Sequence, residues 1–350
     1  MSATMYSCEC TVRHDAACSH CLLHNCCNAC CLCRAALTAP WTAKLPYNRS
    51  ASIPMQLWQT SRSSDIGDRA RGLQQTWLNK NPGVPHTLMN DTEASAFIRT
   101  FYGSAVAAIY DAFPVGVMRG DFWRYAILYA YGGIYADVDT ECVRPLSNWF
   151  PPLVRPGGNS ESPSFAQGVP GAPQQLRYAK LAWQNCSLVI ALENDLHLCQ
   201  WIIAAAPGHP LMRSVLQAAL RSVQDGFRCS YEHMVHVHTG PGVFTRGVRE
   251  GLGLPDHYNA ADIARGAWTN ATVYQRAREL GVCFVAGDFW GDYGGKKAQN
   301  AKNHFSSQWG GGNSTTIPSW TTEREQLVKQ WVGGGGDGGG GHGKNSSDKG

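Results

Sequence analysis

Long apolar runs are missing from this sequence. No stretch of about 18 or more apolar residues occurs, so no transmembrane helix is readable. Charge is also sparse, at 16% of 350 residues with a net of +4. No basic stripe interleaved with aromatics is present, which excludes a nucleic-acid footprint. The N-terminus lacks a clean secretory core, because Cys, His and Asn interrupt it. Apolar content is ample at 43%, enough to bury a core and to exclude wholesale disorder. The length suits two average domains or one large α/β domain. Trp is plentiful at 12, a residue that suits both cores and stacking on sugars or bases.

The 14 cysteines are unevenly spread, with nine between Cys8 and Cys33. The pairs Cys18/Cys21, Cys27/Cys30 and Cys30/Cys33 overlap, with His14, His20 and His24 nearby. These are zinc-ligand types, but overlapping pairs give no clean four-ligand set, and a lipidated leader or a misassigned exon fits better. The other five (Cys142, Cys186, Cys199, Cys229, Cys283) are odd in number, so at least one is free or pairs elsewhere. Six N-x-S/T sequons, at Asn48, Asn90, Asn185, Asn270, Asn313 and Asn345, favour a secretory-lumen context.

Three segments follow. Residues 1–47 form a Cys-rich leader outside the fold, 48–320 the folded unit, and 321–350 a Gly-rich tail expected to be disordered. The Pro-, Gly- and Ser-rich stretch 151–173 reads as an exposed loop. Within the folded unit, strands are expected at 53–58, 85–89, 134–138, 187–192 and 282–286. Helices are expected at 68–79, from the N-cap Asp91 to 100, and at 117–131, 196–206 and 210–223. The alternation predicts an α/β fold, with a mainly parallel sheet flanked by helices. In such folds ligands sit at the carboxyl ends of strands.

One segment concentrates the chemistry: Met118-Arg-Gly-Asp-Phe-Trp-Arg-Tyr-Ala-Ile-Leu-Tyr-Ala-Tyr-Gly-Gly-Ile-Tyr-Ala-Asp-Val-Asp139. A helix, a Gly-Gly stop and an apolar strand lead into the acidic pair Asp137 and Asp139. Two carboxylates at a strand end offer hard oxygen ligands for Mg²⁺ or Mn²⁺, which neutralise a departing diphosphate. Asp121 and Arg124 lie at i, i+3 on one helical face, a carboxylate beside a cationic fork. Taken alone, an Asp-x-Asp triplet is also two solvated acids in a turn. Glu193, Asn194 and Asp195 follow a strand; they could face a reaction centre or cap a helix at Leu196.

The segment resembles the signature of the family-32 glycosyltransferases. Five further stretches resemble that family in the same order: Ile53-Pro-Met-Gln-Leu-Trp-Gln-Thr60, Trp77-Leu-Asn-Lys-Asn-Pro82, Ala204-Ala-Ala-Pro-Gly-His-Pro210, Thr239-Gly-Pro-Gly-Val-Phe-Thr245 and Asn303-His-Phe-Ser-Ser-Gln-Trp309. Trp58 and Asn303 depart from the pattern, each standing where His is usual. The resemblance implies a GT-A-like single domain and retaining transfer of a hexose, mannose first, from a nucleotide sugar (GDP-mannose favoured) to a glycan or glycolipid, in the Golgi or another secretory lumen. It also implies roles. Asp137 would contact the donor's ribose or sugar, and Asp139 would bind metal. Asp121 and Arg124 would hold the hexose, and Tyr135 would pack beside the nucleotide, with Gln59 and Thr60 flanking it. His304 would be a metal or phosphate contact, and Trp309 would close over the diphosphate. Two other classes differ in their marks. A metal-dependent phosphohydrolase needs a fuller set of carboxylates and His than the sequence offers. An inactive sugar-binding relative would have lost Asp137, Asp139 or Arg124, and all three are present.

Overall fold

The computed structural model describes residues 36–37, 45–48, 52–149, 186–223, 231–285, 290 and 301–303. The Cys-rich cluster, the 151–173 stretch and the Gly-rich tail fall outside these residues. Strands without a polar face need cover on both sides, and the central strands here have it. Six strands form one sheet: β1 (Leu57–Thr60), β2 (His86–Met89), β3 (Gly133–Ala136), β5 (Leu188–Ala191), β6 (Ile202–Ala205) and β7 (Val282–Val285). Their order is β2-β1-β3-β6-β5-β7. β6 pairs antiparallel with both neighbours, while the other pairs are parallel, so every strand of this sheet but β6 points the same way. A separate two-stranded sheet joins β4 (Thr140–Cys142) to β8 (Ala301–Asn303).

Side chains alternate faces along a strand. Ile134, Ala136, Val189, Ala191, Ile202 and Ala204 point into one core with Trp77, Trp149 and Trp290. Their neighbours Tyr135, Leu188, Ile190, Ile203 and Ala205 point into a larger core built on helices. The helices in chain order are α1 (Gly67–Lys80), α2 (Asp91–Tyr102), α3 (Ser104–Asp111), α4 (Gly116–Tyr131), α5 (Pro210–Ser222), α6 (Tyr231–His238), α7 (Pro241–Gly251), α8 (Ala260–Thr269) and α9 (Ala271–Glu279). The fold is therefore α/β, with a mainly parallel sheet between helical layers.

Helix α4 is buried almost all round, including Asp121 and Arg124. It stops where Gly132 and Gly133 take φ of +65° and +107°. A Cβ on Gly133 would sit 2.7 Å from the Gln56 carbonyl oxygen and from Trp58 Nε1. The double glycine is thus what lets a buried helix turn at once into a buried strand.

Three local expectations need correction. The helix expected at 196–206 is instead the strand β6, Ile202–Ala205, buried on both faces. A short, wholly apolar run carries no period, and Ile202-Ile203 tips it to strand. The cap of α2 is Asn90 rather than Asp91; Asn90 Oδ1 accepts from Glu93 N, and Glu93 Oε2 accepts from Asn90 N in a capping box. The first strand begins at Leu57, not Ile53, because Pro54 has no N–H to pair.

Cys186 and Cys283 form a disulfide that ties the entry of β5 to β7. Cys142 and Cys199 are free and buried. Described residues of the 1–47 stretch, expected to lie outside the fold, touch it: Ala36 is buried in the larger core, the Tyr47 hydroxyl bonds Ser187 Oγ at 2.6 Å and the Leu280 carbonyl, and Leu45 N donates to the Tyr129 hydroxyl.

Candidate active site

The carboxyl ends of β1, β3 and β5 emerge at one edge of the sheet, together with the start of β6. Asp137 is the first residue past β3, and its N–H donates to the Trp201 carbonyl beside β6. Four of the expected site residues meet here. Arg124 Nη2 bridges Asp121 Oδ1 at 2.9 Å and Asp137 Oδ1 at 3.0 Å. Arg124 Nη1 donates to the Gln200 carbonyl at 3.0 Å. The Tyr135 hydroxyl donates to Asp137 Oδ1 at 2.6 Å, and its ring lies 4.7 Å beneath the guanidinium. One cation therefore ties helix α4, strand β3 and the entry of β6 together.

Asp121 is 1% exposed, yet both its oxygens are engaged. Oδ1 also accepts from Gln200 Nε2 at 3.2 Å, and Oδ2 accepts from Thr239 Oγ1 at 3.1 Å. The Tyr125 hydroxyl meets Gln200 Oε1 and the Thr239 carbonyl, closing the network. Burial pushes the Asp121 carboxyl up to about 6, with Arg124 opposing. Burial works against the charge of Arg124 too, but Asp137, Tyr135 and Asp121 outweigh it and hold it cationic. Burial raises Asp137 as well, against the pull of Arg124 and the Tyr135 hydroxyl.

Asp139 differs. Its Oδ1 is buried without a hydrogen-bond partner. Burial, then the charge of Asp137, push its carboxyl up to about 7. A buried, unsatisfied carboxylate oxygen calls for an explanation, and a hard cation is one. Among the described residues, no group of three or more His, Cys, Asp or Glu is placed to share a metal ion. The other expected ligand, His304, lies outside the described residues, as does Trp309.

Gln59, expected to flank a nucleotide, is fully buried. Its Nε2 donates to the Asp137 carbonyl, and its Oε1 meets His86 Nε2 at 2.9 Å and Gln74 Nε2 at 3.4 Å. It sits under the acidic turn. Thr60 Oγ1 donates to the Met89 carbonyl at 2.9 Å. Two participants, Gln200 and Thr239, escaped sequence reasoning. Gln200 falls in the segment misread as a helix. Thr239 opens the Thr-Gly-Pro motif, whose Gly240 caps α7. Glu193 was left open; burial, then the charge of Asp137, raise it to about 7, so it shares this electrostatic environment. Asp195 is exposed on the same loop, and Asn194 Oδ1 accepts from Leu196 N and His197 N in a turn rather than at a helix.

Residues 67–153 match the family described as glycosyltransferase sugar-binding region containing DXD motif. The initiation-specific alpha-1,6-mannosyltransferase of Schizosaccharomyces pombe is 28% identical over 231 residues, covering 60% of this chain and 50% of that one. Its Saccharomyces cerevisiae namesake is 29% identical over 208 residues (51% and 42%). The inositol phosphoceramide mannosyltransferase 3 of S. pombe is 36% identical over 136 residues (37% and 38%). The chain thus spans half or less of the length of these relatives. Among solved structures, the PaToxG glycosyltransferase is similar at 15% identity, with a TM-score of 0.37 over 73% of this chain and 93% of that one; the fold assignment rests on the strand order above. With Asp137-Val138-Asp139 inside the matched region, the chain is similar to glycosyltransferases of the family-32 kind.

Proposed function

We propose that this chain transfers a hexose from a nucleotide sugar to a glycan or glycolipid acceptor, with retention and with a divalent cation. GDP-mannose is the favoured donor, supported by the mannosyltransferase relatives. The observation that carries the reading is that the two terminal nitrogens of Arg124 are engaged by Asp121, Asp137 and the Gln200 carbonyl, while its Nε and Asp139 Oδ1 at the same strand edge are buried without partners. Asp139 would hold Mn²⁺ or Mg²⁺, with His304 as the second ligand that the family resemblance implies. The bound ion supplies charge neutralisation to the leaving diphosphate.

The chain's own residues do the rest. Arg124, kept cationic in a dry setting, fixes the Asp137 carboxylate and presents its guanidinium to oxygens of the donor. Asp121, already engaged by three donors, positions Arg124. Asp137 takes hydroxyls of the donor's ribose or sugar while Tyr135 holds its carboxyl group in place and packs beside the nucleotide. Gln59 and Thr60 steady the strand below, and Trp309, by the family resemblance, would cover the diphosphate. The site lies in the Golgi or another secretory lumen, a setting favoured by the disulfide and the sequons. No described helix is long and apolar enough to cross a membrane.

The test is a donor panel (GDP-mannose, UDP-galactose, UDP-N-acetylglucosamine) with the full chain, with Mn²⁺ or with chelator. Turnover of GDP-mannose that chelator abolishes is expected. Binding without turnover would point to an inactive sugar-binding relative. Release of phosphate from simple phosphate esters would point to a phosphohydrolase.

A further inference from the structure

Glu193 is the buried acid that the reading above does not use. It lies two residues past β5, on the edge where Asp137 lies one residue past β3. With β6 between them, the two backbone positions stand two strand spacings apart, roughly 10 Å. The entry of β6 forms the floor between them, and its Gln200 carbonyl is held by Arg124.

The backbone at Glu193 is pinned. Its N–H donates to the His197 carbonyl at 3.0 Å, and Asn194 N donates to the same oxygen at 3.1 Å. Leu192 bridges Leu198, and Leu198 N donates to Thr245 Oγ1 on α7 at 2.9 Å. The carboxylate carried by this braced turn is left incomplete: Oε2 is buried and has no hydrogen-bond partner. An acceptor oxygen held rigidly, shielded from water and given no donor by the described residues is matched by a donor that arrives with a ligand. Asp121 shows the alternative, since the same fold surrounds that carboxylate with three donors.

We propose that Glu193 accepts a hydrogen bond from a hydroxyl of a sugar bound between Asp137 and the β5 turn, which makes it a specificity-determining residue of the transfer site. This rests on the glycosyltransferase reading. The hydroxyl belongs either to the transferred hexose or to the acceptor sugar, and the same variant separates the two. The chemistry is a charge-assisted O–H to carboxylate bond, about twice as strong as its neutral counterpart.

The test uses full-length chain with Mn²⁺ and Glu193→Gln, which keeps the shape and removes the charge; Glu193→Asp keeps the charge and serves as the rescue control. Isothermal titration with GDP and with GDP-mannose measures the donor arm. Transfer to methyl α-mannoside, split into KM and kcat, measures the acceptor arm. A hydroxyl on the donor hexose predicts about tenfold weaker GDP-mannose binding by Glu193→Gln with GDP binding unchanged. A hydroxyl on the acceptor predicts unchanged donor binding and about tenfold higher KM for methyl α-mannoside. Partial recovery in Glu193→Asp supports either form. Wild-type values in both arms for Glu193→Gln overturn the proposal. If the wild-type chain binds no sugar nucleotide of the panel, the donor reading fails first and this inference falls with it.

Discussion

Asp121 and Asp139 are carboxylates of one site with opposite circumstances. Both oxygens of Asp121 have partners supplied by the chain, and so do the terminal nitrogens of Arg124, whose Nε alone is buried without one. At the rim, Asp139 Oδ1 and Glu193 Oε2 are buried and have none. The difference teaches which part of the site is frame and which part waits for something else. A saturated buried network specifies geometry, and removing one member leaves the others stranded. An unsaturated buried acid weakens the free protein and is relieved when a cation or a donor arrives.

Substitutions can break that division. Arg124→Ala strands Asp121 and Asp137 and should cost about 3–5 kcal/mol of stability, read by urea unfolding, besides abolishing transfer. A variant as stable as wild type would mean that the inner network is not a frame. Asp139→Ala should do the reverse. Turnover of GDP-mannose should drop about 100-fold or more, while the melting temperature holds or rises. Loss of folding with loss of activity would place Asp139 in the frame instead. Gln59→Ala removes the amide beneath the acidic turn and should lower stability by about 1–3 kcal/mol, with kcat falling more than the affinity for GDP. An unchanged kcat would show that the turn holds itself.

The smallest effect concerns pH. The folded Glu193 carboxyl sits at about 7, above its ordinary range. Such a raised acid favours the fold fully at pH values below its unfolded pKa, and that contribution is lost as pH rises through about 7. Glu193→Gln removes the dependence. In metal-free buffer its melting temperature should match wild type near pH 4 and exceed it near pH 8. Parallel curves across that range would show that the carboxylate is satisfied after all.

Much of this division was legible in the residues. The helix, the Gly-Gly stop and the strand before Asp137 read correctly because each has a strong local signal: a long apolar stretch, positive-φ glycines, then a short β-prone run. The partners that saturate Asp121 were not legible. Gln200 and Thr239 lie 79 and 118 positions away in sequence, and local pattern carries no information about contacts of that span. The reversed strand β6 hid for a related reason. Buried on both faces, it shows neither the period of a strand nor that of a helix. Gln59 read as a ligand contact because its place beside the site was visible, whereas its orientation beneath the turn depends on His86 and Gln74 from other elements.

The antiparallel course of β6 has a consequence for anyone who would dissect or recombine this protein. The matched stretch 67–153 contains Asp121, Arg124, Asp137 and Asp139, yet the oxygen that steadies Arg124 and two of the donors that quiet Asp121 arrive from after residue 186. A piece cut at the family boundary would keep the motif and lose its wiring. In chimaeras between relatives, the portable cassette is the motif helix together with the returning strand and the Thr-Gly-Pro corner, exchanged as one.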